Sequence, residues 1–431
     1  DRRQAAGGHR LDAYPSVHLP QASRSYALAT TDRPNRTIQT AGPEAGLHER
    51  ARRSEILAYN DDILFGRLRA TGRVSFHGGS MYHTDGSSHF VTSSVSGETV
   101  RVEVRRRFVD ATYLSPTIPA TTPPPFGCAD DSAVVSINEL AELDETPSDY
   151  VIVGSGKTAT DGIVWLLDNA VSPERIIWIR PRDPWMLNRA VVQPDPVVAF
   201  ELGASTFGAA AEAESPDDLF LRLEDAGVMF RIDSEVTPAM AKTPTLATWE
   251  LDLLRTVERV VRLGHIEHVA RREIVLQGGS VSLPEGSLIV HCAASGLRNP
   301  PLASIWMPDA IRLQTIRAGF PCFNAALAGY VEATRDDDRE RNLLCPPNCY
   351  SNTTTDWAWM QARGAVATAS FGAEPDIAAW ADECALNPSR LPPSRRDDPR
   401  VQAARSRLAT VVAPGVARMA ELGDASASPT V

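Results

Sequence analysis

The sequence predicts an α/β protein of more than one domain, built around a Rossmann-like unit. Three observations point there. Residues 148 to 183 read as strand, glycine turn, helix and strand. Residues 72 to 109 switch to a two-residue period, the mark of an antiparallel meander. The length, 431 residues, exceeds what one hydrophobic core serves, so two or three domains are expected.

From its start the chain runs through Asp1-Arg2-Arg3, Gly7-Gly8-His9 and Tyr14-Pro15 with little periodicity as far as Leu28, which predicts loop. Ile56, Tyr59 and Ile63 then recur at helical spacing, with Leu64 and Leu68 beside them, and predict a helix across 44 to 70. The meander strands are VSFHGG, SHFVTSSVS and TVRVEVRRRFV, split by Gly-Gly, Asp-Gly-Ser and Ser-Gly-Glu. They end in Asp110-Ala111-Thr112, and the proline-rich SPTIPATTPPPF leads on to the glycine unit.

In that unit Tyr150 to Val153 is the first strand, and Gly154, Gly156 and Ala159 fall in the pattern G-x-G-x-x-A. Gly154 makes the tight turn, Gly156 lets a pyrophosphate approach the backbone, and Ala159 lets the helix press on the strand. The unpaired N–H groups of the helix N-terminus would receive that pyrophosphate, with Ser155, Lys157 and Thr158 around it. A P-loop reading of GSGKT fails, because Val151 stands where that motif needs glycine. Lys157 opposes the helix macrodipole unless an anion lies nearby; the alternative is a solvated lysine. The second strand, Arg175 to Arg180, ends in Arg180-Pro181-Arg182, where an NAD site would carry an acid. Two guanidiniums suit a 2′-phosphate, so NADP(H) is expected; the alternative is an ordinary basic strand end.

Beyond Asp183 a long loop-rich segment is expected, then a helix from about Asp217 to Ala226. Leu246, Trp249, Leu253, Val257 and Val260 predict a second helix that stops at Gly264. HIEHVA, REIVLQ and SLIVHCAA read as strands, the last turning at Ser295-Gly296. Phe320 to Ala333 predicts a helix, and DASASPTV at the end predicts disorder.

Composition narrows the function classes. The apolar content of 43% and charged content of 23% are those of a soluble globular chain. A net charge of −11 argues against a nucleic-acid partner. No apolar run approaches a membrane span, and neither an initiator Met nor a signal peptide opens the chain. Six scattered cysteines fit reduced thiols in the cytoplasm, with Cys345 and Cys349 read as structural rather than zinc-binding. His77, His83 and His89, spaced by six, read as surface strand histidines, and no metal is expected. His265 and His268 read as solvated, and His291, in an apolar strand, as a core residue.

A meander ending in Asp-Ala-Thr, a prolined linker, an inserted G-x-G-x-x-A unit and a later strand with a small-residue turn form a recognisable order. It resembles the flavoproteins with two dinucleotide-binding domains, the flavin-containing monooxygenases and their pyridine nucleotide-dependent relatives. The resemblance implies two Rossmann-like domains, an FAD-binding one interrupted by an NADPH-binding one. It divides the chain into residues 1–145 (FAD domain, first part), 146–283 (NAD(P) domain), 284–345 (FAD domain, second part) and 346–431 (a helical or irregular extension). Asp1 matches the acid that holds the FAD ribose, and Gly7-Gly8-His9 a Gly-Gly-x-Trp turn in which His replaces Trp. Ala111 and Thr112 match an Ala-Thr-Gly crossover, with Tyr113 where Gly is usual. Cys292 to Leu297, with Gly296, matches the returning strand near the isoalloxazine.

The FAD glycine motif is expected upstream of Asp1, and no F-x-G-x-x-x-H element precedes Ser148. The implied function is an FAD-dependent oxidoreductase that takes hydride from NADPH and acts on a small molecule, with oxygen insertion as the finer reading. The other class is a non-catalytic NADP-binding module. No acid–base side chain is singled out, since in such enzymes the cofactor carries the chemistry.

Overall fold

The structure is a computed structural model that describes residues 1–34, 36–297 and 299–423; the tail predicted to be disordered lies outside these. Among the described residues, the first 52 positions hold only short 3-10 turns and isolated bridges. Helix α1 spans Arg53–Asp61 and runs on as π- and 3-10-helix to Thr71. The helix expected from 44 therefore starts nine residues late. Gly46 holds φ at +90°, and the Glu44 carboxylate is bound to Arg50, a local bond that competes with the helix.

The meander forms from β1 (Ser80–Asp85), β2 (Ser88–Ser93) and β3 (Thr99–Val102), all antiparallel. Its first strand is SMYHTD and not VSFHGG, because Gly78 and Gly79 press against Gln4 and Ser80 N–H donates to the Asp1 carbonyl at 2.9 Å. Thr84 pairs with His89 and His83 with Phe90, so His83 and His89 point to opposite faces. Next come β4 (Phe108–Asp110), β5 (Gly127–Cys128) and β6 (Val134–Ser136).

The glycine unit forms as the sequence predicts: β7 (Tyr150–Val153), α2 (Lys157–Asp168) and β8 (Ile176–Ile179). The segment expected to be loop holds β9 (Trp185–Asn188) and the 17-residue α3 (Pro196–Glu212), followed by the expected α4 (Pro216–Asp225). Strands β10 (Met229–Arg231) and β11 (Thr245–Leu246) flank β9. Helix α5 (Thr248–Arg255) stops well before Gly264. Val260–Val261 is instead β12, an edge strand parallel to β8, where β-branched residues fit best. Strands β13 (Ile266–Ala270), β14 (Glu273–Leu276) and β15 (Gly279–Ser282) form a meander that β5 joins, and β16 (Leu288–His291) and β17 (Ala310–Arg312) follow. Helices α6 (Pro321–Thr334), α7 (Asp338–Leu344), α8 (Thr354–Gly372), α9 (Pro375–Glu383) and α10 (Pro399–Leu422) complete the chain.

The centre is a five-stranded parallel sheet in the order β12-β8-β7-β16-β6. Ile152, Trp178 and Val290 face α2 and α5 on one side. Val151, Ile177 and Ile289 face the β13–β15 meander on the other. Burial on both faces is what a parallel sheet demands.

This arrangement corrects the expected divisions. Leu288 pairs with Tyr150 and His291 with Val153, so the returning strand belongs to the glycine-turn sheet, and β6 joins it from before residue 146. Boundaries after 145 and 283 would cut that sheet. Of a second Rossmann-like sheet, the described residues hold one parallel pair, β4 with β17. A second core gathers Ala27, Trp306, Phe323 and Phe371, and a third joins Trp185 and Phe220 to Trp357 and Met419 of the last helices. Among the described residues no helix is long and apolar enough to cross a membrane.

Candidate functional site

The central strand β7 ends in a turn held from both sides. Gly154 sits at φ +126°, a conformation only glycine adopts without strain. Its N–H donates to the Ile179 carbonyl at 3.0 Å, and its carbonyl accepts from Trp178 Nε1 at 2.7 Å. On the far side, a Cβ on Gly154 would lie 3.4 Å from the carbonyl of Cys292. Gly156 is different. Its backbone is extended (φ −82°, ψ −174°), it caps α2 without a side-chain bond, and a Cβ there would meet nothing within 4 Å. Among the described residues the N–H groups of Ser155, Gly156, Lys157 and Thr158 have no hydrogen-bond partner. Ser155 is buried, Thr158 is half-buried, and Ala159 is fully enclosed where α2 meets the sheet. The turn thus offers free donors and free space at the positive end of a 12-residue helix.

A cleft of about 220 Å³ opens beside this turn, lined by Phe126, Gly154, Pro181, His265, Ile266 and Ala293, among others. It lies at the carboxyl ends of β7, β8 and β16, where the strand order reverses around β7. His291 lies near it, edge-on to Phe126 at 5.9 Å; burial lowers its pKa and keeps it neutral.

Lys157 does not wait for a ligand. Its ammonium pairs with Asp161 at 2.5 Å and with the buried Glu250 at 3.4 Å. Glu250 also binds Arg189 at 2.7 Å, Arg189 binds Glu44 at 2.5 Å, and Glu44 binds Arg50 at 2.8 Å. Tyr14 closes the near end by donating its hydroxyl to Asp161. Burial works against the Glu44 carboxylate, but Arg50 and Arg189 outweigh it and bring its pKa down to about 2. The lysine that seemed to oppose the helix dipole is neutralised by the chain's own carboxylates.

The two arginines at the end of β8 part company. Arg180 turns inward and is 1% exposed; its guanidinium lies 4.7 Å from the Trp178 ring and 3.0 Å from Asp183. Among the described residues its Nε and Nη1 have no partner, and burial brings its pKa down to about 10. Asp183 is shared with Arg262, which also holds Asp233. Arg182 turns the other way, towards Asn352 Oδ1 at 3.3 Å and Met240 Sδ at 3.7 Å. The expectation that both arginines face one phosphate is not how the side chains stand. Lys242, with no motif to mark it, lies in the Met240 segment and donates to the Ser295 carbonyl at 2.8 Å, next to Gly296.

The residues expected at a flavin lie outside the lining of this cleft. The Asp1 carboxylate accepts from Arg3 N–H at 2.9 Å. Gly7 and Gly8 make a positive-φ turn (+146° and +55°); a Cβ on Gly7 would strike Leu57, whereas one on Gly8 meets nothing within 4 Å. Burial first, then Arg10 and Arg3, brings His9 down to about 4. Thr112 donates twice to Asp110 Oδ1 at 2.8 Å, and Ala111 is exposed. Gly296, at φ +67°, accepts from Thr117 N–H at 3.0 Å. It therefore stands at the end of the glycine-turn sheet, beside the linker. Among the described residues no group of three His, Cys, Asp or Glu side chains is arranged for a metal ion.

No family model matches the chain. Uncharacterized protein Rv2000 of Mycobacterium tuberculosis and uncharacterized protein Mb2023 of Mycobacterium bovis are each 37% identical to it over 390 residues. That is 90% of this chain and 72% of each relative. Three solved structures align at 12% identity. One is a flavin monooxygenase from Stenotrophomonas maltophilia (TM-score 0.36; 74% of this chain, 78% of that one). Another is the FAD-bound cadaverine monooxygenase DfoA from Erwinia amylovora (0.41; 80% and 86%). The third is an L-lysine 6-monooxygenase from Pseudomonas syringae (0.33; 67% and 78%).

Proposed function

The chain belongs to the family of the mycobacterial proteins Rv2000 and Mb2023, and we propose for it an NADPH-consuming, FAD-dependent oxidoreductase acting on a small organic molecule. One observation carries the nucleotide half. The Gly154–Gly156 turn leaves four backbone donors unpaired and open space at the N-terminus of α2, on the central strand of a parallel sheet. A dinucleotide pyrophosphate fits that cradle, which Gly156 keeps open and Gly154 aims.

The flavin half is supported by the course of the chain. Strands β4 and β17, far apart in sequence, pair in parallel. Between them and the sheet, Thr117 bonds Gly296, and the Tyr113 hydroxyl bonds the Pro301 carbonyl at 2.7 Å. The outgoing and returning segments thus lie side by side, as an inserted nucleotide domain requires. Gly8, with its open side, is the residue that would admit a flavin diphosphate. Bound there, the nicotinamide would supply hydride-transfer chemistry and the flavin would be the group to receive it. This chain's part is to bind, orient and shield them. Phe126 and Pro181 dry the cleft, and His291, kept neutral by burial, brings no charge to it.

A non-catalytic NADP-binding module is the second reading, favoured by the nucleotide sheet having five strands where the other has two. Purified protein decides. A flavin spectrum that bleaches on adding NADPH supports the oxidoreductase, NADPH binding without flavin supports the module, and binding of neither refutes both.

A further inference from the structure

We propose that Arg182 and Lys242 together form a phosphate seat at the rim of the cleft, with Lys242 the residue that selects a dinucleotide carrying an extra phosphate. The proposal deepens the nucleotide reading above and rests on it.

The inward turn of Arg180 leaves Arg182 as the one strand-end arginine free to meet a ligand. Its bonds go to neutral acceptors, Asn352 Oδ1 and Met240 Sδ, and among the described residues no carboxylate lies within ion-pair distance. Lys242 is in the same condition. Its partner is the Ser295 carbonyl, and among the described residues no carboxylate pairs with it. Arg182 reaches Met240, two residues before Lys242, and partial desolvation, then Arg182, hold the Lys242 pKa below the usual lysine value. Neighbouring cations behave otherwise: Arg180 and Arg262 share Asp183, and Lys157 is held by Asp161 and Glu250. Two cations without a carboxylate partner beside a cleft, amid neighbours that each hold one, call for an anionic ligand.

The segment that carries Lys242 is fixed with unusual care. Thr243 holds φ at +45°, a region a β-branched residue enters only when its surroundings force it. The forcing bonds are visible on the residues before it. Met240 N–H donates to the Asp183 carbonyl (3.2 Å) and Ala241 N–H to the Asn352 carbonyl (2.8 Å). Trp185 N–H (2.8 Å) and Ser351 Oγ (2.6 Å) donate to the carbonyls of Met240 and Ala241. A strained turn pinned from four sides aims its lysine at a fixed point, between the end of β8 and the Ser295-Gly296 loop.

Composition adds an independent observation. Of the 43 basic residues, only two are lysines, Lys157 and Lys242, and the fold brings both to the ends of this one sheet. Lys157 is consumed by carboxylates, which leaves Lys242 as the compact, flexible ammonium that a phosphate needs beside a planar guanidinium.

The rarity of lysine also gives a clean test. The protein is treated with an amine-selective acylating reagent, alone and with NADPH, NADH or adenosine 2′,5′-bisphosphate, and modification is read by mass spectrometry. Lys242 should be protected by NADPH and the bisphosphate, and much less by NADH. In calorimetry Lys242→Ala should weaken NADPH about 10- to 100-fold and NADH less than about 3-fold, while Lys242→Arg retains most of the NADPH affinity. Equal losses for both nucleotides, or no loss, overturn the seat while leaving the dinucleotide site standing. If the unaltered protein binds neither nucleotide, the dinucleotide reading fails and the seat fails with it. Circular dichroism of Lys242→Ala guards against loss of fold.

Discussion

Gly154 and Gly156 are two residues apart in one motif, yet substituting each with alanine should have opposite consequences. At Gly154 the obstacle is the backbone. A φ of +126° is closed to alanine, while the contacts its Cβ would make, 3.4 Å to Cys292 and 3.5 Å to Ala293, are ordinary ones. The cost is therefore that of strain, about 1–3 kcal/mol, and it falls on folding. At Gly156 the backbone is extended and the space empty, so alanine should cost less than about 1 kcal/mol, the loss of a mediocre N-cap. The methyl group would occupy the place where a pyrophosphate oxygen meets the α2 N–H groups. Loss of one or two charge-assisted hydrogen bonds there raises the NADPH Kd about 10- to 100-fold. Thermal unfolding and calorimetric NADPH titration of both variants separate the effects. Gly154→Ala should melt several degrees lower, and Gly156→Ala should melt like the parent but bind poorly. A Gly156→Ala protein with parental affinity would refute the cradle, and an undiminished melting temperature in Gly154→Ala would refute the strain.

Lys157→Met should destabilise the fold by about 1–3 kcal/mol, since Asp161 and Glu250 lose their shared cation, and should change the NADPH Kd only a few-fold. The reverse pattern, parental melting with lost affinity, would make Lys157 a phosphate ligand after all. Glu44 has a folded pKa of about 2 against an ordinary 4.5, so its stabilisation is complete above pH 4.5 and is lost as pH falls from about 4.5 to 2. The linkage is worth about 3 kcal/mol. Glu44→Gln should lose that stability at neutral pH and show a flatter acid limb in urea unfolding measured from pH 3 to 7; an unchanged limb would mean another group governs it.

The glycine unit was legible because local and tertiary demands agree there. The apolar strand must be buried on both faces, the turn needs glycine, and the helix needs small residues against the sheet. Legibility failed where a partner distant in sequence decides the structure. Helix α3 carries Val197, Val198, Gly203, Thr206 and Gly208, all poor helix formers. It is stable because α10, some 200 residues later, packs on it. A Cβ at Gly203 would come within 3.2 Å of Leu408, and one at Gly415 would collide with Phe207. Val257 and Val260 continue the spacing of α5 by accident, and the open edge of β8 claims Val260 for the sheet instead. The assignment of β16 failed for the same reason. An apolar β-branched strand can join either of two parallel sheets, and nothing local says which.

At the site, the sign of the charges was readable and their direction only partly so. Strand alternation alone puts Arg180 on the face of Trp178, towards α2, and Ile179 on the other. The direction of Arg182 was not readable, since it lies past the strand end, where alternation no longer holds. Lys242 was hidden more deeply. It lies 60 positions from Arg182, in no motif, on a turn whose strain appears only in the backbone. Yet its rarity was visible from the outset. A chain that writes all but two of its cations as arginine shows no general need for lysine. Each of the two therefore calls for a local reason. For Lys157 the reason is the carboxylates of Asp161 and Glu250. For Lys242 the described residues supply no carboxylate partner, and that counter-charge is what a phosphorylated ligand would bring.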